Sequence, residues 1–156
     1  MTIYSKVLAI VAVLALGGAG CGGSGAASTG TTRGAPDCRP DCQAEDLSFA
    51  DLSGVGLAGM HLTDANLTSA NLTDVNLTGA DLSGADLTRA DLTNANLTRV
   101  DLTRADLTGA DLSGADLTRA DLTDANLADA NLFSVNLTKA NLTGVNLVGA
   151  ILPEGW

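Results

Sequence analysis

The amino-acid sequence predicts an all-β solenoid in which the chain turns a corner every five residues. Leu stands at every fifth position from Leu47 to Leu152, so 22 Leu residues share one phase. The neighbours of Leu repeat as well: Ala or Val usually stands two positions before it, Asp or Asn one position before it, and Thr or Ser one position after it. No residue is inserted between consecutive units. Such a period is typical of proteins that stack one structural unit many times.

The five-residue period excludes both a helix and a flat strand. We number the positions of each unit, or quintet, from one to five, with Leu third. On a helix of 3.6 residues per turn, Leu side chains five residues apart would spiral around the axis and form no single stripe. On a flat strand, successive Leu side chains would point to opposite faces. The chain must therefore bend once per quintet, with positions one and three inward and positions two, four and five outward.

The repeated pattern resembles the pentapeptide-repeat family, whose units read Ala-(Asp/Asn)-Leu-x-x. The resemblance covers residues 46–152. It implies that four quintets close one square coil of a right-handed quadrilateral β-helix, which would give about five and a half coils in a rod roughly 26 Å long. Representative quintets are Ala80-Asp81-Leu82-Ser83-Gly84 and Ala125-Asn126-Leu127-Ala128-Asp129.

The N-terminal segment indicates export. A short stretch with one Lys precedes the apolar run Val7–Leu16, which is too short to span a bilayer and is typical of a signal peptide. The small residues before Cys21 resemble the cleavage box of bacterial lipoproteins, although Gly18 stands where that box prefers an aliphatic residue. The resemblance implies that residues 1–20 are removed and that a lipid on Cys21 anchors the protein on the extracytoplasmic side of the membrane. Plain secretion and an uncleaved anchor are the alternatives.

Short segments flank the predicted rod. Residues 21–37 are rich in Gly, Ser and Thr, which predicts a flexible linker. Residues 38–45 contain Cys38 and Cys42, which we expect to form a local disulfide that caps the open end of the solenoid in an exported protein. Free thiols are the second interpretation, and a metal site is disfavoured because the chain has a single His. Residues 153–156 form the predicted C-terminal cap, in which Trp156 would cover the last Leu tier.

The composition predicts a protein without catalytic activity. Three Cys, one His, one Tyr and one Trp leave too few groups to assemble a nucleophile, a base and an orienting partner. Most of the acids occupy equivalent solvated positions, which cannot separate the pKa values of two carboxyl groups as acid–base catalysis requires. We therefore expect neither an enzyme nor a bound cofactor or metal. His61, the one His, is interpreted as a tolerated deviation at position two.

If four quintets make one coil, as the resemblance implies, stacked residues differ by twenty in number, and this spacing identifies a candidate surface. Cations and acids would form neighbouring columns about 5 Å apart per coil. We interpret the columns as weak exposed ion pairs or, alternatively, as a recognition stripe. Threonines stack as well, which leaves ice or carbohydrate recognition as a further alternative. The stripe consists of Arg99, Arg119, Lys139, Asp81, Asp101 and Asp121, and the Thr columns include Thr78, Thr98, Thr118, Thr138, Thr63, Thr103, Thr123 and Thr143.

Charge limits the choice of partners. The formal net charge is −10, which disfavours direct binding of nucleic acid. The prediction is a monomeric, lipid-anchored, non-catalytic module that serves as a structural element or binds an unidentified protein. An acidic DNA mimic that binds DNA gyrase is the alternative implied by the family resemblance. The export signal and the lack of a recognisable dimerising tail weigh against that alternative.

Overall fold

A computed structural model of the chain confirms the predicted solenoid. The structure describes residues 42–153 and Gly155. Within residues 42–153 there is no helix and no strand longer than one residue. Instead, the residue at position two forms a parallel bridge with the residue 20 positions further on, from Asp46↔Asn66 to Asn131↔Ile151. Four quintets therefore complete one coil.

Each corner of the coil is a tight turn that begins at Leu. The amide of Ala85 donates to the carbonyl of Leu82 at 3.0 Å, and the same bond recurs along the rod. Position five has a positive φ in every quintet from Ala44 to Gly149, as at the third residue of a type II turn. The φ is +69° at Gly84, where Gly adopts it without steric cost, and +57° at Arg89. The left-handed conformation costs a non-Gly residue about 1 to 2 kcal/mol, and stacking must supply that stability.

Backbone hydrogen bonds between coils supply the stability that offsets the left-handed corners. The amide of Leu82 donates to the carbonyl of Asp101 in the next coil at 2.8 Å, and the amide of Gly84 donates to the carbonyl of Thr103 at 2.9 Å. In return, the amide of Asp101 donates to the carbonyl of Ala80 at 3.0 Å. A single coil would leave these groups unpaired, so the fold is stable only as a stack.

Positions one and three form the core, as predicted. Leu side chains from the four sides meet in the interior, and Leu82 and Ala85 are both 0% exposed. The small position-one residue fits beside them because a close-packed interior that receives one Leu from each side has little space left. Every buried residue within 42–153 is apolar. The pattern of inward and outward positions is therefore confirmed.

The described part of the winding begins at Cys42, in the quintet before Leu47. Cys42 takes the position of Leu in this additional quintet, is 7% exposed, and donates its amide to the carbonyl of His61 at 2.8 Å. The burial of Cys42 follows from the same five-residue phase that buries Leu47. Cys38 lies outside the described residues, so the disulfide with Cys42 stays a prediction.

The C-terminal tier is less buried than the rest of the core. Leu137, Leu142 and Leu147 are half-buried, and Leu152 is 40% exposed. These side chains belong to the last tier of the described rod, on which no further quintet stacks. Trp156, the predicted lid, lies outside the described residues. So do the predicted signal peptide, linker and lipidation site: residues 1–20, residues 21–37 and Cys21. No helix within the described residues has the length and hydropathy that a membrane span requires.

Candidate interaction surface

The rod has four outward faces, each built from quintets 20 residues apart. We name each face after its first Leu: the Leu47, Leu52, Leu57 and Leu62 faces. Position five stands at the corner between one face and the next. The Leu57 face, which proves the most distinctive, consists of residues 55–59, 75–79, 95–99, 115–119 and 135–139.

Position two and position four are joined by a local hydrogen-bonded motif. In the quintet around Leu122, the amide of Thr123 donates to Asp121 Oδ1 at 2.9 Å, and the Thr123 hydroxyl donates to the same oxygen at 2.6 Å. One coil later, Asn141 Nδ2 donates to Asp121 Oδ1 at 3.2 Å. Asp and Asn therefore act as acceptors for the turn that follows them. This contact explains their regular occurrence without any ligand.

These hydrogen bonds lower the pKa of several Asp carboxyl groups. The Thr88 hydroxyl holds the pKa of Asp86 below its ordinary value, and the Thr123 hydroxyl does the same for Asp121. In both cases the amide of the same Thr stabilises the carboxylate further. A hydrogen bond to the charged form favours ionisation. The pKa is lowered in the same direction at Asp51, Asp81 and Asp111.

Acid is therefore expected to destabilise the rod below about pH 4. A carboxyl group whose folded pKa lies below its unfolded value of about 3.9 stabilises the fold above that pH. Its contribution is lost as the pH falls through the folded pKa. Thermal unfolding followed by circular dichroism between about pH 7 and pH 2 measures the loss as a falling Tm.

A triple Asn variant provides the control for this prediction. Asn already occurs at position two and accepts the same bond, since the Thr78 amide donates to Asn76 Oδ1 at 3.1 Å. The variant should keep its fold and lose less of its Tm in acid, because the substituted groups no longer titrate. An acid transition as steep as that of the wild type would contradict the assignment. The variant combines Asp86→Asn, Asp111→Asn and Asp121→Asn.

The Thr columns are less available for surface recognition than the sequence indicated. The hydroxyl groups of Thr118 and Thr103 donate to Asp116 and Asp101 in their own quintets. A hydroxyl that donates within the rod has only its lone pairs left for an external ligand. The structure thus assigns these Thr side chains a local role at the corners.

The predicted stripe forms two neighbouring columns at the corner between the Leu57 and Leu62 faces. Arg99, Arg119 and Lys139 are exposed at position five, with φ values of +58°, +61° and +62°. Within the described residues, none of these three cations forms an ion pair. The predicted ion pairs between the columns are therefore not formed. The acids of the adjoining column, Asp81, Asp101 and Asp121, are half-buried and accept hydrogen bonds from position four.

Charge is distributed unevenly over the four faces, which the sequence reasoning missed. The Leu47 and Leu62 faces each carry five acids and one base, and the Leu52 face carries four acids and no base within residues 42–153. The Leu57 face carries one acid, Asp116, and three bases, so its formal charge is +2. Sorting the charged residues by their place in the twenty-residue coil would have revealed this signal.

No metal-binding group emerges from the described residues. Among residues 42–153 no three His, Cys, Asp or Glu side chains come together as a candidate metal site. His61 is half-buried and forms a parallel backbone bridge with Asp81. The described surface therefore offers hydrogen-bonded side chains at positions two and four, and the exposed cations Arg99, Arg119 and Lys139 at one corner.

Comparison with protein-family models assigns the chain to a family. The family model described as pentapeptide repeats matches residues 46–84, 85–124 and 115–152. The chain belongs to the pentapeptide-repeat family. This membership confirms the predicted fold class, a right-handed quadrilateral β-helix. None of the curated proteins compared with this pentapeptide-repeat protein matches it.

Solved pentapeptide-repeat structures resemble the rod. The protein is similar to Rfr23 from the cyanobacterium Cyanothece 51142, with 28% identity, a TM-score of 0.71, and coverage of 72% of this chain and 90% of Rfr23. It is also similar to HetL of Nostoc sp. strain PCC 7120, involved in heterocyst differentiation regulation, with 36% identity, a TM-score of 0.28, and coverage of 71% and 65%. A third similar protein, from the Arabidopsis thaliana thylakoid lumen, has 38% identity, a TM-score of 0.31, and coverage of 64% and 63%. The likeness to Rfr23 shows a shared fold along most of the rod.

Proposed function

We propose that this pentapeptide-repeat protein is a non-catalytic, lipid-anchored, extracytoplasmic module that acts as a structural or protein-interaction element. The observation that carries the proposal is the repetition of one hydrogen-bonded unit along the rod. Asp81, Asp101 and Asp121 accept the same hydrogen bonds from position four of their own quintets. A rigid rod with repeated, equivalent groups is suited to contact another macromolecule over an extended surface.

The anchor is supported by the order of segments along the chain. An apolar run is followed by Cys21, which is the first residue of the predicted linker 21–37 ahead of the cap and the rod. A flexible linker of this length has an end-to-end distance of about 20 Å. A lipid on Cys21 would therefore hold the rod close to the membrane and leave its faces accessible to a partner.

Substitution of Cys21 tests the anchor. In bacteria grown with labelled palmitate, we expect the wild-type protein to carry the label and to sediment with the membrane, and Cys21→Ala to carry no label. The reason is that Cys21 would be the site of acylation. Cys38→Ala is the matched control, because it also removes one thiol and should keep the label. Label on Cys21→Ala, or an unlabelled wild-type protein in the cytosol, would refute the anchor.

An acidic DNA mimic that binds DNA gyrase is the second candidate. Its supporting observation is that three of the four faces of the described rod are acidic. The Leu57 face weighs against it, because a surface of opposite charge interrupts the imitation of a uniformly anionic duplex. A cytosolic wild-type protein that inhibits gyrase supercoiling would establish this alternative.

A further inference from the structure

We propose that the Leu57 face binds an extended acidic segment of a protein partner through Arg99, Arg119 and Lys139. The inference deepens the interaction role proposed above and rests on it. We call these three residues the cation column.

Charge complementarity is the first argument. Each of the Leu47, Leu52 and Leu62 faces has a formal charge of −4 within residues 42–153, whereas the Leu57 face has a charge of +2. Exposed charges are screened over about 8 Å at physiological ionic strength, so a ligand on one face responds mainly to that face. An acidic ligand is therefore attracted to the Leu57 face and repelled by the other three.

The cation column is available to a ligand. Its three side chains are exposed and form no ion pair within the described residues. Stacking of one coil on the next places neighbouring cations about 4.8 Å apart, so the column extends over about 10 Å. Several carboxylates of one extended segment can therefore contact the column together.

The rest of the Leu57 face suits a peptide. Its position-two column contains Asn76, Asn96 and Asn136, whose side chains are exposed and uncharged. The Oδ1 atoms of Asn76 and Asn96 accept from position four of their own quintets, which leaves the Nδ2 groups of these two residues to donate to the carbonyl or carboxylate oxygens of a peptide. Asp116 is the one acid of this face, and its Oδ1 accepts bonds from Thr118 and from Asn136.

The neighbouring acid column restricts the ligand to a narrow one. Asp101 and Asp121 follow Arg99 and Arg119 by two residues, on the far side of the corner. A planar anionic bilayer or a nucleic acid duplex wide enough to cover the corner would approach these carboxylates and be repelled. A single extended segment can lie on the Leu57 face without covering the Leu62 face. A second copy of the chain, with a net charge of −10, is disfavoured for the same reason.

Matched double variants test the proposal. Arg99→Gly with Arg119→Gly removes two cations from the Leu57 face, and Arg89→Gly with Arg104→Gly removes two from other faces. All four positions have a positive φ between +57° and +61°, which Gly adopts freely, so both variants should fold. Both lower the net charge by the same amount. The probe is a rhodamine-labelled decaglutamate peptide, whose binding to the detergent-solubilised full chain is followed by fluorescence anisotropy.

Wild-type protein is expected to bind the peptide at physiological ionic strength, where the charges of the other faces are screened. The Arg99/Arg119 variant should bind about tenfold more weakly, because each lost exposed pair weakens binding severalfold. The Arg89/Arg104 control should bind nearly as tightly as the wild type, with only the small weakening that the loss of two positive charges causes. Equal weakening in both variants, or no binding by the wild type, would overturn the proposal. A ten-nucleotide oligothymidylate that bound more tightly than decaglutamate, and lost affinity in the same way in the Arg99/Arg119 variant, would also overturn the proposal. So would phosphatidylglycerol vesicles that bound Cys21→Ala more tightly than decaglutamate does and lost affinity on the same substitutions. If decaglutamate does not bind but palmitate labelling depends on Cys21, the acidic ligand is refuted and the proposed lipid-anchored module is still supported.

Discussion

Replacing Leu102 with Ala is expected to lower the free energy of unfolding by about 3 to 5 kcal/mol. Leu102 is 1% exposed and lies in one inward column with Leu82 and Leu122. Bridges between consecutive coils hold the backbone on both sides, so the neighbours cannot close the cavity left by the missing atoms. Denaturant unfolding followed by circular dichroism measures the loss.

Leu142→Ala is the matched control for this substitution. Leu142 belongs to the same inward column but lies in the C-terminal tier, where it is half-buried. Truncation there removes less buried apolar surface and leaves no closed cavity, so we expect the free energy of unfolding to fall by only about 1 kcal/mol. Equal losses at the two sites would show that stacking does not concentrate stability in the middle of the rod.

Deletion of Gly109 alone is expected to destabilise the rod by several kcal/mol, at the upper end of single-site effects. Gly109 is the corner residue of its quintet, with a φ of +66°, and its amide donates to the carbonyl of Ala128 at 2.8 Å. Without it, the chain has four residues for a side that requires five. The Ala110 amide can no longer close the turn on the Leu107 carbonyl, and the coils on either side lose their register.

Deletion of the whole quintet 105–109 is the control and should be much less harmful. Every later Leu moves back by one face and still points inward, so the rod loses one quarter of a coil and keeps its core. Denaturant unfolding of the two deletion variants compares them directly. If removal of five residues destabilised the rod as much as removal of one, the quintet would not be an independent repeating unit.

The quintet deletion also separates stability from recognition. It moves Arg119 and Lys139 onto the Leu52 face and leaves Arg99 on the Leu57 face. The cation column is thereby divided while the cations themselves are kept. We expect a folded rod whose affinity for decaglutamate falls as in the Arg99/Arg119 double variant.

Several features of the candidate surface could be predicted before the structure. The phase of Leu placed Arg99 and Asp101 at outward positions, and the family resemblance placed residues 20 apart in one column. The availability of the side chains could not be read from the pattern. Thr123 donates its hydroxyl to Asp121, whereas Arg119 forms no ion pair in the described rod. Whether a side chain forms a hydrogen bond or an ion pair within the rod depends on distances of a few tenths of an ångström, which no sequence pattern encodes.

The sequence by itself determined which side chains point inward. A strict five-residue period admits neither a helix nor a flat strand, because only a corner in each quintet keeps every Leu on the same side of the backbone. The period alone does not state how many quintets close a coil. That number depends on how the corners stack, and the tertiary structure sets it at four through bridges between residues 20 apart.

The stacking then decides everything that depends on a neighbouring coil. It holds Arg99 in a left-handed conformation and leaves the Leu57 face as the one cationic side among the four faces of the described rod. These properties arise between residues far apart in the chain. They are set by hydrogen bonds and contacts between coils, which exist only after the chain has wound.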